Sequence, residues 1–524
     1  MSPSPKKRPG RPIARTDAPE RPAIGQAQVA LVVLIVTVAA VAERWLFGRA
    51  WNESQSLTSV FYYGDAPRFV EYATAILRGR LFDNGIPFHP PGWPLVLAAF
   101  MRLCGALQHG NVSVPTGAVK IFIACLSGLT VGGAAMLAYE ISGCGAMLAV
   151  SVLGTFQFAH VVEGTVANSE ALYGLCVIAT LLAAWRWLTG GARHWRLWAP
   201  LAGAATGCAM LVRAEFLAGA VIIAVVAWRA RASRASIAAF LLAFVLALAP
   251  TTVWHWRTLK AFNIGHVGRV AGPLPQFAPV TSYGPFNFAM ANHPDADGGP
   301  NRDHPMLDRC NQETDERLSA GQLDLQCPAV YDLYVHGYTI GAVWILNHPG
   351  AALSLMGRKI AYTIGFLGHG YLIDDFGAGV DGVRRRVDLV DPADQWLLPV
   401  HLGLLVAGVW LLRRRQVAIG LLGAPLAALL GSTLLFYGYV RLGAAYLPVI
   451  WILEATALAA ALHRFAGKRR ATPRTVMITM GVLFALLGFD AFRASLSRGV
   501  TLDGLRTPGG TLVQDETLTI HAER

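Results

Sequence analysis

Stretches of about 20 apolar residues, each almost free of charge, recur from one end of this chain to the other. As a helix, such a run crosses a hydrocarbon core about 30 Å thick with its backbone groups bonded internally. The composition agrees. Of 524 residues, 54% are apolar and 15% charged, against about 25% charged in a typical soluble chain. Mean hydropathy is +0.44. A soluble enzyme, a disordered chain, a collagen and a disulfide scaffold are excluded as whole-chain readings. The sequence predicts an all-α polytopic membrane protein.

Eleven spans are expected, within a range of 10 to 13, near 29–42, 117–139, 145–162, 170–188, 197–212, 214–228, 236–253, 395–412, 416–436, 442–463 and 474–492. The excess of 44 Lys and Arg over 32 Asp and Glu gives a net charge of +12. Its clusters, Lys6-Lys7-Arg8, Arg229/Arg231/Arg234, Arg413–Arg415 and Lys468–Arg470, flank apolar runs. That is the positive-inside bias, and no nucleic-acid motif accompanies it. Residues 1–26 read as a disordered basic cytoplasmic tail, and 27–492 as the transmembrane domain. Val29–Ala42 is expected to be a signal anchor. The polar segments at about 43–116 and 254–394 then fall outside, with 493–524 as a short outer tail. Residues 351–373 are apolar but hold Arg358 and Lys359. A span there would throw Arg413–Arg415 outside, so an interfacial helix with its basic pair at the headgroups is expected. Cys310 and Cys327 share one outer loop, where a disulfide can form.

Ionisable residues at the outer ends of spans are the candidates for chemistry, because buried charge is costly in a membrane. Asp65 precedes Pro67, which suits a first helical turn. It is either a helix cap or a reactive carboxylate. Arg68, three residues on, can share its face. His89 sits in a rigid His89-Pro90-Pro91 turn, as a surface histidine or a ligand. Glu170 opens a span, where Glu also suits the helix dipole. Arg213 and Glu215 form a turn between two spans, structural or functional.

In this order the motifs resemble bacterial membrane glycosyltransferases of the GT-C fold, relatives of the protein O-mannosyltransferases and the lipid A aminoarabinose transferase. The residues that carry the resemblance are Gly64-Asp65-Ala66-x-Arg68 followed by Phe88-His89-Pro90-Pro91-Gly92. Val166–Tyr173 around Glu170 and Leu211-x-Arg213-x-Glu215 continue it. So do Gly284-x-x-Asn287-Phe288 with Ala291-Asn292-His293-Pro294, and Tyr439-Val440-Arg441 with Pro448, where the family has a second arginine. The resemblance implies a polyprenyl-phosphate-linked sugar donor and an envelope acceptor, whether glycolipid, lipopolysaccharide, polysaccharide or protein. Asp65 and Glu170 then take catalytic positions. Arg68, His89, Arg213, Arg441 and Lys359 take donor-phosphate positions, and Tyr63, Glu215 and Asn292 acceptor or positioning ones. The implied location is the inner membrane, with the site on its outer, periplasmic face.

No zinc spacing or nucleotide-binding glycine loop is present. A divalent cation shared by Asp65 and Glu170 is left open. The rival class is a polytopic transporter or lipid-linked-sugar flippase, which would place ionisable groups near the midplane. Glu454 is the chief such residue.

Overall fold

A computed structural model describes residues 25–54, 61, 65–79, 87–108, 111–190, 194–265, 271–300, 304–307, 325–368, 397–465, 473–497 and 517–520. The chain is helical. The first elements are α1 (Gln26–Ser54), α2 (Ala66–Leu77), α3 (Gly92–Leu103), β1 (Leu107–Gln108), β2 (Asn111–Pro115) and α4 (Thr116–Ser142). Then come α5 (Cys144–Phe156), α6 (Phe158–Glu163), α7 (Glu170–Thr189), α8 (Trp195–Val212), α9 (Leu217–Arg229) and α10 (Arg234–Gly265). Next come α11 (Gly284–Met290), α12 (Pro328–Asn347) and α13 (Pro349–Ile364). The last are α14 (Leu398–Leu412), α15 (Gln416–Leu435), α16 (Val440–Ala444), α17 (Leu447–Phe465), α18 (Pro473–Ser497) and β3 (Thr517–Ile520).

Each expected span has a helix over it, and among the described residues six helices are long and apolar enough to cross a membrane. Three expected spans are interrupted. The 145–162 run breaks at Gln157, whose backbone turns extended between α5 and α6. The 442–463 run divides into α16 and α17, and a 3₁₀ turn at Ala214–Phe216 precedes α9. A small antiparallel sheet, β1-β2-β3, departs from the all-helical expectation and pairs Val112 with Ile520.

The first span also runs longer than expected. α1 continues to Ser54, so Glu43 and Arg44 lie inside a helix and are buried, where an outer segment was expected to begin. Arg44 is tolerated because every arm is bonded. It donates to Ser127 Oγ (2.7 Å), Ala40 O (3.1 Å), Thr155 O (3.1 Å), Gly154 O (2.9 Å) and His160 Nδ1 (2.7 Å). Gly154 and Thr155 belong to the last turn of α5, so Arg44 caps the carbonyls that the Gln157 break leaves without helical partners.

α2 is amphipathic, burying Ala66, Phe69, Val70, Ala73 and Leu77 at helical spacing, and packs along α3. α13 buries Ala352, Leu355, Lys359 and Thr363. Lys359 thus points into the protein, not to the headgroups as expected, while Arg358 donates to Ala296 O (3.1 Å). Cys327 is disulfide-bonded; its expected partner Cys310 lies outside the described residues, as do most of the two tails.

Lipid tails are as apolar as leucine, so helix association in a membrane relies on close packing. α8 and α10 approach through Gly203 and Gly207, four residues apart. A Cβ on Gly203 would stand 2.1 Å from Phe240 O. This contact fixes α8, whose C-terminal end carries Arg213. Gly203→Leu should cost about 1–3 kcal/mol by overpacking. Gly423→Ala, with nothing near its Cβ, should change little. Thermal unfolding of the two purified variants in one detergent checks the contrast.

Candidate active site

Four interruptions between helices converge on one cluster of charges. Asp65 occupies the cap position of α2, but its side chain makes no capping bond to that helix. Instead it receives a hydrogen bond from Arg441 Nη2. The capping account of Asp65 therefore fails on geometry. Arg441 is set by α16, and its Nη2 also donates to Tyr439 OH (2.7 Å). Its Nε stands 3.5 Å from Glu170 Oε1, the first residue of α7. The same oxygen accepts from Arg213 Nη1 (3.1 Å).

Arg213 sits between α8 and the 3₁₀ turn with an extended backbone, which swings its side chain out of the helical path. Its Nε pairs with Glu215 Oε1 (3.0 Å), and its guanidinium lies over the Tyr173 ring at 5.4 Å. Glu215 also accepts from Tyr446 OH (2.9 Å) and Ser432 Oγ (3.4 Å), and Tyr446 accepts from Tyr173 (2.7 Å). Asp65, Arg441, Glu170, Arg213 and Glu215 thus form one continuous chain of alternating charge.

Burial differs along the chain. The Glu170 and Arg441 side chains are 3% and 7% exposed, whereas Asp65 is 44% exposed. Asp65 is the carboxylate that outside molecules reach. Burial works against the charges on Arg213 and Arg441. Glu215 and Glu170 outweigh it for Arg213, and Asp65, Tyr439 and Glu170 for Arg441, so both pKa values are pushed well above the ordinary arginine value. Burial pushes Tyr439 up to about 12, keeping its hydroxyl protonated. Among the described residues, the buried Glu170 Oε2 has no hydrogen-bond partner.

The other sequence candidates lie elsewhere. Arg68 turns to Glu71 (2.7 Å) on the outer face of α2 and does not join the cluster; spacing put it one turn from Asp65, but its own helix supplies a nearer anion. His89 is packed edge-on against Phe69 and Phe88, with Tyr283 at 6.2 Å. Lys359 is fully buried and donates to Asn292 Oδ1 (2.8 Å), so it is closed to an external phosphate. Burial pulls its pKa down to about 8. Tyr63 lies outside the described residues.

Sequence reasoning passed over Tyr439, Tyr446, Tyr173 and Ser432. Tyr439 and Tyr446 flank Arg441 in one motif and Tyr173 ends the motif around Glu170, which was the available signal; Ser432 has none. Among the described residues no group of three or more His, Cys, Asp and Glu could hold a metal ion. Asp65 and Glu170, the pair from which a shared cation was left open, both face Arg441 instead.

The sequence matches no family profile and no curated protein. Among solved structures, the chain is similar to the apo oligosaccharyltransferase of Archaeoglobus fulgidus, with 14% identity and a TM-score of 0.43, over 90% of this chain and 56% of that one. The Archaeoglobus fulgidus oligosaccharyltransferase AglB, in complex with an inhibitory peptide and a dolichol-phosphate, gives 13% identity and 0.42 over the same shares. ArnT from Cupriavidus metallidurans, bound to undecaprenyl phosphate, gives 15% and 0.32 over 83% of this chain and 80% of that one. The chain spans about half the length of the oligosaccharyltransferases.

Removing one member of the cluster strands its neighbours. Arg213→Met leaves Glu170 with one cation and Glu215 with none, a loss of about 3–5 kcal/mol for a broken buried pair. Arg213→Met with Glu215→Gln should recover part of it. Denaturation midpoints of the wild type, the single and the double variant measure this.

Proposed function

We propose that this chain is a membrane glycosyltransferase that moves a sugar from a polyprenyl-phosphate donor to a hydroxyl of an envelope acceptor, at the outer face of the inner membrane. The observation that carries this reading is the Asp65–Arg441 pair. It joins a half-exposed carboxylate to a buried guanidinium at the ends of apolar helices.

Sugar transfer from such a donor forms a bond between the acceptor oxygen and the anomeric carbon while the bond to the lipid phosphate breaks. Asp65 is the reachable carboxylate and takes the acceptor's proton. The departing phosphate gains negative charge. Arg441 and Arg213 offer planar donors to its oxygens in a water-poor site. In the ligand-free protein Asp65 and Glu215 hold those guanidinium groups, so an incoming phosphate competes with carboxylates for them. Glu170, sealed between both arginines, orients them and does not itself meet the acceptor. The apolar helices provide a medium in which a prenyl chain is at home.

A transporter reading draws less support. Glu454, its chief residue, is paired with His401 Nδ1 at 2.7 Å, with side chains 0% and 1% exposed. That is a packed pair between α14 and α17.

Asp65→Asn separates a base from a residue that only holds Arg441, because asparagine keeps an acceptor oxygen for the arginine and loses the basic carboxylate. The folded variant should lose turnover by about 10²-fold or more. It should bind undecaprenyl phosphate at least as tightly as wild type, since a competing anion is gone. Arg441→Ala should weaken that binding by about 10–100-fold, the loss of one charge-assisted bond. Turnover of a polyprenyl-phosphate sugar and binding of undecaprenyl phosphate in nanodiscs are the measurements. Near-wild-type turnover by Asp65→Asn would falsify the mechanism.

A further inference from the structure

α15 ends in an unusual way. Its last carbonyls, on Leu434 and Leu435, have no partners within the helix. Many helices end on a left-handed glycine that closes this gap, but Phe436 comes next with φ −108° and ψ −125°. Two side chains from other elements do the work instead. Lys359 on α13 donates to Leu434 O (3.4 Å), and Asn292 donates through Nδ2 to Leu435 O (2.8 Å). The two are tied to each other through Asn292 Oδ1 (2.8 Å), and Asn292 is anchored to Phe288 O (2.8 Å). A buried ammonium at a helix C-terminus also meets the negative end of the dipole.

The arm that carries the site begins directly after this cap. Gly438 N donates to Gly298 O (2.9 Å), and a Cβ on Gly438 would stand 1.8 Å from Lys359 O. Glycine is required there by close approach. Tyr439 and Arg441 come next. On the helix side of the cap, Ser432 reaches Glu215. The cap therefore joins both ends of the charge cluster.

We propose that Lys359 and Asn292 are positioning residues: together they cap α15 and so fix the arm at 436–441 that presents Tyr439 and Arg441 to Asp65 and Glu170. Lys359 acts through the backbone and does not touch phosphate. The inference rests on the proposed function only where it predicts binding; its structural part stands without it.

Hydrogen exchange of the full-length, ligand-free protein in nanodiscs tests the structural part. Lys359→Met should speed exchange across 436–441 by at least about tenfold and leave α4 unchanged, as local opening requires. Asn292→Ala should act on the same amides, which keeps the test decisive if Lys359→Met does not fold. Lys359→Arg, which keeps a cation, should restore part of the protection. Unchanged exchange over 436–441 in the folded variants overturns the proposal.

A double-mutant cycle with undecaprenyl phosphate then separates positioning from general loosening. Lys359→Met should weaken binding about 5-fold or more in the wild-type background and hardly at all in Arg441→Ala, because coupled residues are not additive. Equal losses in both backgrounds also overturn it. If the wild type does not bind undecaprenyl phosphate, the functional reading falls, and exchange alone decides the role of Lys359.

Discussion

A guanidinium buried among apolar helices must be matched, because an unpaired ion in low dielectric costs several kcal/mol even after relaxation. Most of this site stems from that requirement. Arg441 and Arg213 sit buried at helix ends, and each is held between two carboxylates. Glu170 belongs to both pairs. Shifting any one of α7, α8 or α16 would strand a charge, so the cluster fixes the relative placement of the helices as much as they place the cluster.

The breaks in the helices serve the same end. A break frees a side chain from the face that its helix would otherwise dictate. The extended backbone at Arg213, the start of α7 at Glu170 and the extended Tyr439 before α16 release the chain where a charge must be aimed inward. Each break leaves helix ends to be satisfied. Arg44 satisfies the end of α5, and Lys359 with Asn292 satisfies the end of α15. Two buried cations, Arg44 and Lys359, thus have a physical reason: they bond carbonyls that helix ends leave open.

Chemical roles divide along burial. Glu170 and Glu215 are committed to arginines inside the protein, and Asp65 alone of the three is half open. The same chemical group thus stands in two settings. Inside, it neutralises and orients arginines; at Asp65 it does so while half open to the surroundings. The network draws the Asp65 side chain toward Arg441, so a residue that local rules read as a cap pairs with a distant arginine instead.

Apolar run length made the helical architecture legible without coordinates, because a helix long enough to cross a membrane declares itself residue by residue. Motif order likewise pointed to Asp65, Glu170, Arg213, Glu215 and Arg441. Their partners were not legible. Arg68 stands three residues from Asp65 and turns away to Glu71, while Arg441, far off in sequence, supplies the contact. Lys359 reads as a headgroup lysine from its neighbours and is buried beneath the site. Local sequence records what each segment needs from its solvent. Which charge answers which is decided by packing, since only the assembled helices bring residues hundreds of positions apart within hydrogen-bond reach.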